Sequence, residues 1–405
     1  MQPNPDILSA PSPRVMAVDA LRGFALLGIL MMNVLFFSGP SQQIFGRPLS
    51  ETPFPWAYGL VLVLAQGKFY GLFSLLFGLG FAIQMDRFAA RGEQPGRRFR
   101  RRLMVLLGFG LLHGTLLWMG DILAIYALIG LLLPAFARCK PRTLLVWAIG
   151  LLIVLALIGA AIAGLVAMGA AFAPQEMARS FAAQDQAMAA ETARSLAAYG
   201  SGPYSALFTF RLKELFSNYG MTLVLAPHIL AMFLLGLWAW RKGIVQDLQA
   251  HRPFLKKLAL WGFGLGLPGN LLYGYLLGQG FTVDGTAKAL LGMSLSAFTS
   301  PALTLGYAAG LVLFVLGPGA RLGAWLAGAG RMSLTNYLTH SLVMTTIFYF
   351  YGFGLFGRMA LPLALGIGIL LWVGQLFLSR AWLQRHAQGP LETLWRRLAF
   401  GRATA

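Results

Sequence analysis

Apolar residues run along the chain in stretches of about 17–25 positions, each long enough to cross roughly 30 Å of hydrocarbon at 1.5 Å per residue. Short polar or glycine-bearing segments separate them. Inside a bilayer no water reaches the backbone N–H and C=O groups, so each stretch must close its hydrogen bonds within itself as a helix. The pattern predicts an all-α fold: a polytopic transmembrane helical bundle of about ten spans, at residues 16–37, 56–85, 103–119, 122–137, 143–173, 220–240, 258–279, 289–316, 332–352 and 359–379. Two further stretches fit no span. Residues 174–215, rich in Ala and Gln with mixed charge, are expected as an external helical loop, with one or two short helices over the surface. Residues 380–405 are expected as an amphipathic tail along the cytoplasmic headgroups, because Leu391, Leu394, Trp395 and Leu398 share one helical face beside Arg396 and Arg397. No repeat or low-complexity linker divides residues 1–405, which read as a single integral membrane domain.

Charge sets the orientation. The chain has 32 Lys and Arg against 13 Asp and Glu, for a net charge of +19. Such a balance invites a nucleic-acid reading, but the basic residues sit in alternate loops. With the N-terminal stretch 1–15 in the cytoplasm, 23 of the 32 fall in inside segments. Both termini are therefore expected in the cytoplasm of a bacterium, in a multi-pass inner-membrane protein whose partner is the lipid bilayer and not nucleic acid. The first apolar run has no small-residue cleavage site behind it and reads as a retained span. The one cysteine, Cys139, lies in a short basic loop, so neither a disulfide framework nor a Cys-based metal site is expected. No Walker loop, dinucleotide glycine motif, Gly-x-Ser-x-Gly elbow or HExxH occurs, which leaves ATP-driven transport, redox chemistry and metallohydrolysis without support.

Ionisable and amide side chains within spans are costly, and each needs a partner or a task. Asp19 and Arg22, three residues apart near the inner end of span one, are spaced to pair; they either anchor that helix or, with the Arg-rich segment 97–102, meet a phosphate-bearing ligand. His113 in span three and His340 in span nine both lie about 13–15 Å from the inner face. Each is either a general base or a hydrogen bond between helices. Asp121 stands in the turn after His113 and suits the cap of the fourth span, yet with His113 and Tyr126 it also makes a polar strip facing the outer half of the membrane. Asn33 and Asn336 are intramembrane amides, with interhelical bonding as the plainer reading. Gln66-Gly67-Lys68 interrupts span two and predicts a break that leaves Lys68 to snorkel or pair.

The blocks VDALRGFALLGILMMN, FYGLFSLLFGLGFAIQ, HGTLLWMGDILAIYALIG, GRMSLTNYLTHSL and GPLETLWRR resemble, over about residues 14 to 400, the YeiB family of bacterial inner-membrane proteins with a C-terminal domain of unknown function. That family is similar to a wider set of transmembrane acyltransferases, among them heparan-α-glucosaminide N-acetyltransferase and bacterial O-acyltransferases. The shared first-span pattern Asp-x-x-Arg-Gly is present as Asp19, Arg22 and Gly23, and Asn33 stands where the glucosaminide enzymes carry Asn. Their His about eleven residues further on is replaced by Ile44. The resemblance implies transfer of an acyl group from cytoplasmic acyl-CoA, a donor not tightly bound, to a small-molecule or glycan acceptor on the outer side. On this reading Arg22 holds the CoA phosphates, His113 substitutes as base, and Asn33, Asp121 and Tyr126 orient base or acceptor. Asp19, Lys68, Asn336 and His340 join Arg22 as substrate-binding residues. The alternative is a transporter that uses the same polar residues as a path, although no inverted repeat is evident.

Overall fold

The computed structural model describes residues 13–41, 48–92, 94–282 and 285–401. Most of the predicted N-terminal cytoplasmic stretch, Ile44 and Arg402 lie outside them. Every regular element among the described residues is helical. In chain order the helices are α1 (Pro13–Ser38), α2 (Pro55–Leu64), α3 (Lys68–Ala90), α4 (Pro95–Leu112), α5 (Leu123–Gly130), α6 (Leu133–Phe136), α7 (Pro141–Phe172) and α8 (Pro174–Gly200). They continue as α9 (Tyr204–Val224), α10 (Ala226–Arg241), α11 (Arg252–Leu277), α12 (Thr286–Val315), α13 (Ala320–Arg331), α14 (Ser333–Phe348), α15 (Leu361–Leu383) and α16 (Pro390–Phe400). Pro55, Pro141, Pro174 and Pro390 open their helices, where a missing N–H costs nothing.

Among the described residues, five helical segments are long and apolar enough to cross a membrane: Met16–Ser38, Pro55–Ala90, Pro141–Phe172, Thr286–Val315 and Leu361–Leu383. A sixth is the pair α9 and α10, bent by 58°. The remaining expected spans do not meet that measure of length and apolarity, so the count of ten goes beyond length and composition. Leu157 and Leu165 on α7, Trp261 on α11 and Phe377 on α15 face outward and exposed, which in water would be a large unburied apolar surface. This is the exterior of a membrane protein.

Three local departures from regular helix shape the interior. The expected break in span two falls between α2 and α3, where Gly67 takes φ +85°, open to glycine and strained for other residues. Helix α4 runs into a π turn at His113–Leu117, closed by Trp118 N–H donating to the His113 carbonyl, and the chain then turns through residues 118–122 into α5. The segment before span nine, expected as an inner loop, is the helix α13, laid tightly on α1: a Cβ on Gly23 would sit 2.0 Å from the Leu326 oxygen, and one on Gly330 1.9 Å from the Asp19 oxygen. Small residues at that crossing let two backbones touch, which strengthens dispersion contacts between helices that have no hydrophobic drive to associate in lipid. Residues 174–215 form much of α8 and α9, longer helices than the pattern suggested, and α9 is seated on the π turn.

Candidate functional site

The α1–α13 contact brings charge to one place. Arg22 donates to the Asp19 carboxylate at 2.5 Å, as the three-residue spacing predicted. Arg331, at the end of α13, and Arg102, at the foot of α4 just before its apolar run, line the same opening. Burial, and Arg22 beside it, pull the Arg102 guanidinium down to about 9, which leaves it charged at neutral pH. The tail helix α16 forms another side. Its Trp395 lies 4.0 Å from the Arg102 guanidinium and donates its indole N–H to the Arg102 carbonyl, while Arg101 reaches the Leu398 carbonyl. Glu392 accepts the Leu334 and Thr335 backbone N–H groups and the Thr335 hydroxyl, capping α14 across 58 residues of sequence. Three guanidiniums face two carboxylates already engaged, so the mouth is net positive and suited to an anion.

From this mouth a cavity of about 430 Å³ rises between α1, α3, α4, α5 and α14. Its walls are apolar, with Ile29, Phe73, Leu76, Phe77, Leu103 and Leu106, and its far end meets Ile122, Tyr126 and Tyr337. A basic opening that leads into an apolar shaft fits a ligand with an anionic head and an uncharged arm.

Behind Tyr337, whose ring is 5.2 Å from that of His113, lies the most polar group in the core. His113 Nδ1 is 2.8 Å from Asp121 Oδ2, and His113 Nε2 is 2.8 Å from the Ser341 hydroxyl. His113 and Asp121 are each 2% exposed, Ser341 1%. The other oxygen, Asp121 Oδ1, accepts the Ala124 N–H at 2.8 Å, so the residue caps α5 and meets His113 at once. The Tyr219 hydroxyl of α9 stands 3.4 Å from the same oxygen. Above the pair, buried Arg211 of α9 donates to the carbonyls of Thr115 and Leu116, which the π turn leaves without helical partners.

The other predicted residues divide. Tyr126 lines the cavity, but its hydroxyl donates to the Tyr70 carbonyl and accepts from Ser74, so it ties α5 to α3 and does not contact His113. Asn336 donates to the Ala329 carbonyl and Ser379, and His340 Nε2 meets Gln375 at 2.6 Å; both join α14 to neighbouring helices and lie outside the cavity lining. Lys68 neither snorkels nor pairs with a carboxylate: fully buried, it donates to the Leu62 carbonyl and sits over the Tyr273 ring at 5.3 Å. Asn33 is half-buried and apart from the cavity lining. Sequence reasoning missed Ser341, Tyr337, Arg331 and Glu392. Glu392 and Arg331 had a signal in their charge; a helical serine beside a histidine carries none.

Residues 239–402 match the model of a family described as protein of unknown function (DUF418). Over nearly its whole length the chain is similar to the uncharacterized protein YxaH of Bacillus subtilis (strain 168), 31% identical with 95% of this chain and 93% of that one aligned. It is similar also to the uncharacterized protein YeiB of Escherichia coli (strain K12), 30% identical over 95% and 96% of the two chains. A third relative is an uncharacterized 39.9 kDa protein in the amylase 3′ region of Bacillus acidopullulyticus, 28% identical over 96% and 94%. No solved structure matches.

Proposed function

The chain belongs to the YeiB-like DUF418 family, and from that footing we propose that it is a membrane-embedded acyltransferase that takes an acyl group from cytoplasmic acyl-CoA for an acceptor on the outer side. The observation that carries the reading is the alignment of three features along one shaft: the Arg22, Arg102 and Arg331 mouth, the apolar cavity, and His113 clamped by Asp121 beyond its head. His113 follows Arg102 by eleven residues on one helix, roughly 16 Å along its axis. Phosphates held at the mouth therefore leave a thioester arm to run up the shaft toward the imidazole. Asp121 fixes the ring's orientation and tautomer, as a general base requires. In this reading the protein has ten crossings, both termini in the cytoplasm, and its place in the bacterial inner membrane.

A carrier is the second reading, and the observation that favours it is the broken α2–α3 helix with Lys68 buried at the break, since discontinuous helices bind substrates in many transporters. Acetyl-CoA binding to the purified protein in nanodiscs separates the two. The acyltransferase reading expects saturable binding, weakened about 10- to 100-fold by Arg22→Ala as one charge-assisted contact is lost, and little changed by His113→Ala. Absence of binding at millimolar acetyl-CoA in folded protein refutes it and leaves the carrier.

A further inference from the structure

We propose that Ser341 is the nucleophile of this site and that the acyl group passes through a covalent ester on its hydroxyl; the donor in this scheme rests on the acyltransferase reading above. His113 Nδ1–H donated to Asp121 leaves Nε2 as the acceptor nitrogen, and the group it faces at 2.8 Å is the Ser341 hydroxyl. Serine, histidine and aspartate in that order of contact form the acyl-transfer relay, which is recognised by geometry and not by chain order.

The hydroxyl's partner supports a chemical role. Many helical Ser and Thr of this protein return their hydroxyls to the carbonyl four residues back, as Thr115, Thr222 and Thr346 do, while others, such as Ser300 with Asn270 and Thr335 with Glu392, reach another helix. Ser341 is of the second kind and meets an imidazole that is itself held by a carboxylate, across 228 residues of sequence. The histidine rides on a π turn, an irregularity common at functional sites. Nearby, the Trp118 indole N–H is buried without an acceptor, and its ring is 6.3 Å from that of His113; it is a donor available to an oxyanion. Tyr337, one turn before Ser341 on α14, lines the cavity end and separates shaft from relay, so its ring must turn aside for a thioester to reach the hydroxyl.

The chemistry closes in two steps. Ser341 Oγ attacks the thioester carbonyl as its proton moves to His113 Nε2; the C–S bond breaks, the thiolate takes that proton, and CoA leaves through the mouth. An acceptor hydroxyl or amine then loses its proton to His113 and attacks the seryl ester; the proton returns to Ser341 as the acyl product departs. The acyl group thus waits in the membrane core after CoA has gone, and donor and acceptor need never be bound together.

The test is mass mapping of the protein in nanodiscs after [1-14C]acetyl-CoA, with a fluorophosphonate as a CoA-independent probe of activated serine. The expected result is a label on Ser341 that survives denaturation and is released by hydroxylamine, is lost in Ser341→Ala with CoA release down about 100-fold or more, and returns as a thioester in Ser341→Cys. Ser341→Ala that cleaves acetyl-CoA at the wild-type rate overturns the nucleophile and leaves the acyltransferase intact. Fluorophosphonate labelling of Ser341 that needs His113, without acetyl-CoA cleavage, upholds the nucleophile and removes the donor. If neither reagent marks Ser341, the proposal fails.

Discussion

At the scale of single residues the relay makes Asp121 the most informative position. Asp121→Asn keeps an oxygen for the Ala124 N–H but presents an amide where His113 Nδ1 now meets a carboxylate. The imidazole loses the partner that fixes its tautomer, so acetyl-CoA affinity should hold within about two-fold while CoA release falls by up to about 10,000-fold, the loss seen when a relay carboxylate becomes an amide. Binding isotherms and single-turnover CoA release on the same sample check both halves. Part of this scale was legible in the chain. Asp19 and Arg22 were spaced to pair, and His113 and Asp121 flank so short a turn that their meeting followed from a hairpin. Ser341 was not legible, because helical serines normally serve their own backbone, and only the fold shows which of them meets a histidine. Tyr126 was drawn to the strip by proximity; Tyr70 and Ser74, on a helix no local pattern could position, hold its hydroxyl instead.

At the scale of elements, the mouth depends on backbones in contact. Gly330→Val places a branched side chain against the Asp19 carbonyl, a backbone atom that cannot move alone. Overpacking of this kind costs about 1–3 kcal/mol, and here it also separates Asp19 and Arg22 from Arg331. Thermal melting in detergent should fall and acetyl-CoA affinity with it, whereas Gly366→Ala on α15, where an added Cβ meets nothing within 4 Å, should melt as the wild type does or slightly higher. The glycines that make α13 work also hid it, since Gly and Ala near two arginines read as a loop when helix propensity is judged in water. The break in span two was readable for the opposite reason: polar Gln66 and Lys68 flank a glycine inside an apolar run, a pattern no straight membrane helix favours.

At the scale of the whole molecule, hydropathy revealed the membrane class, and loop charge supplied an orientation that can be measured. Cys139, the single cysteine, lies after α6 on the side assigned to the cytoplasm. A membrane-impermeant maleimide should label it in inverted vesicles and not in intact cells. In a Cys139→Ser background, Gln184→Cys on exposed α8 should show the reverse. Labelling of both from one side would reject the proposed topology. The role of α16 was only half legible. Its amphipathic face announced a surface helix, and Leu394 and Leu398 remain exposed as that predicts, but nothing in the pattern disclosed that Glu392 would cap α14 or that Trp395 would cover Arg102. That docking has a consequence in time. The opening draws Asp19 and Arg22 from α1 and Glu392 and Trp395 from α16, the first and last of the described helices. The bundle can therefore insert helix by helix with its opening unfinished, and the mouth closes only once α16 has been made, so a chain without α16 holds no assembled mouth.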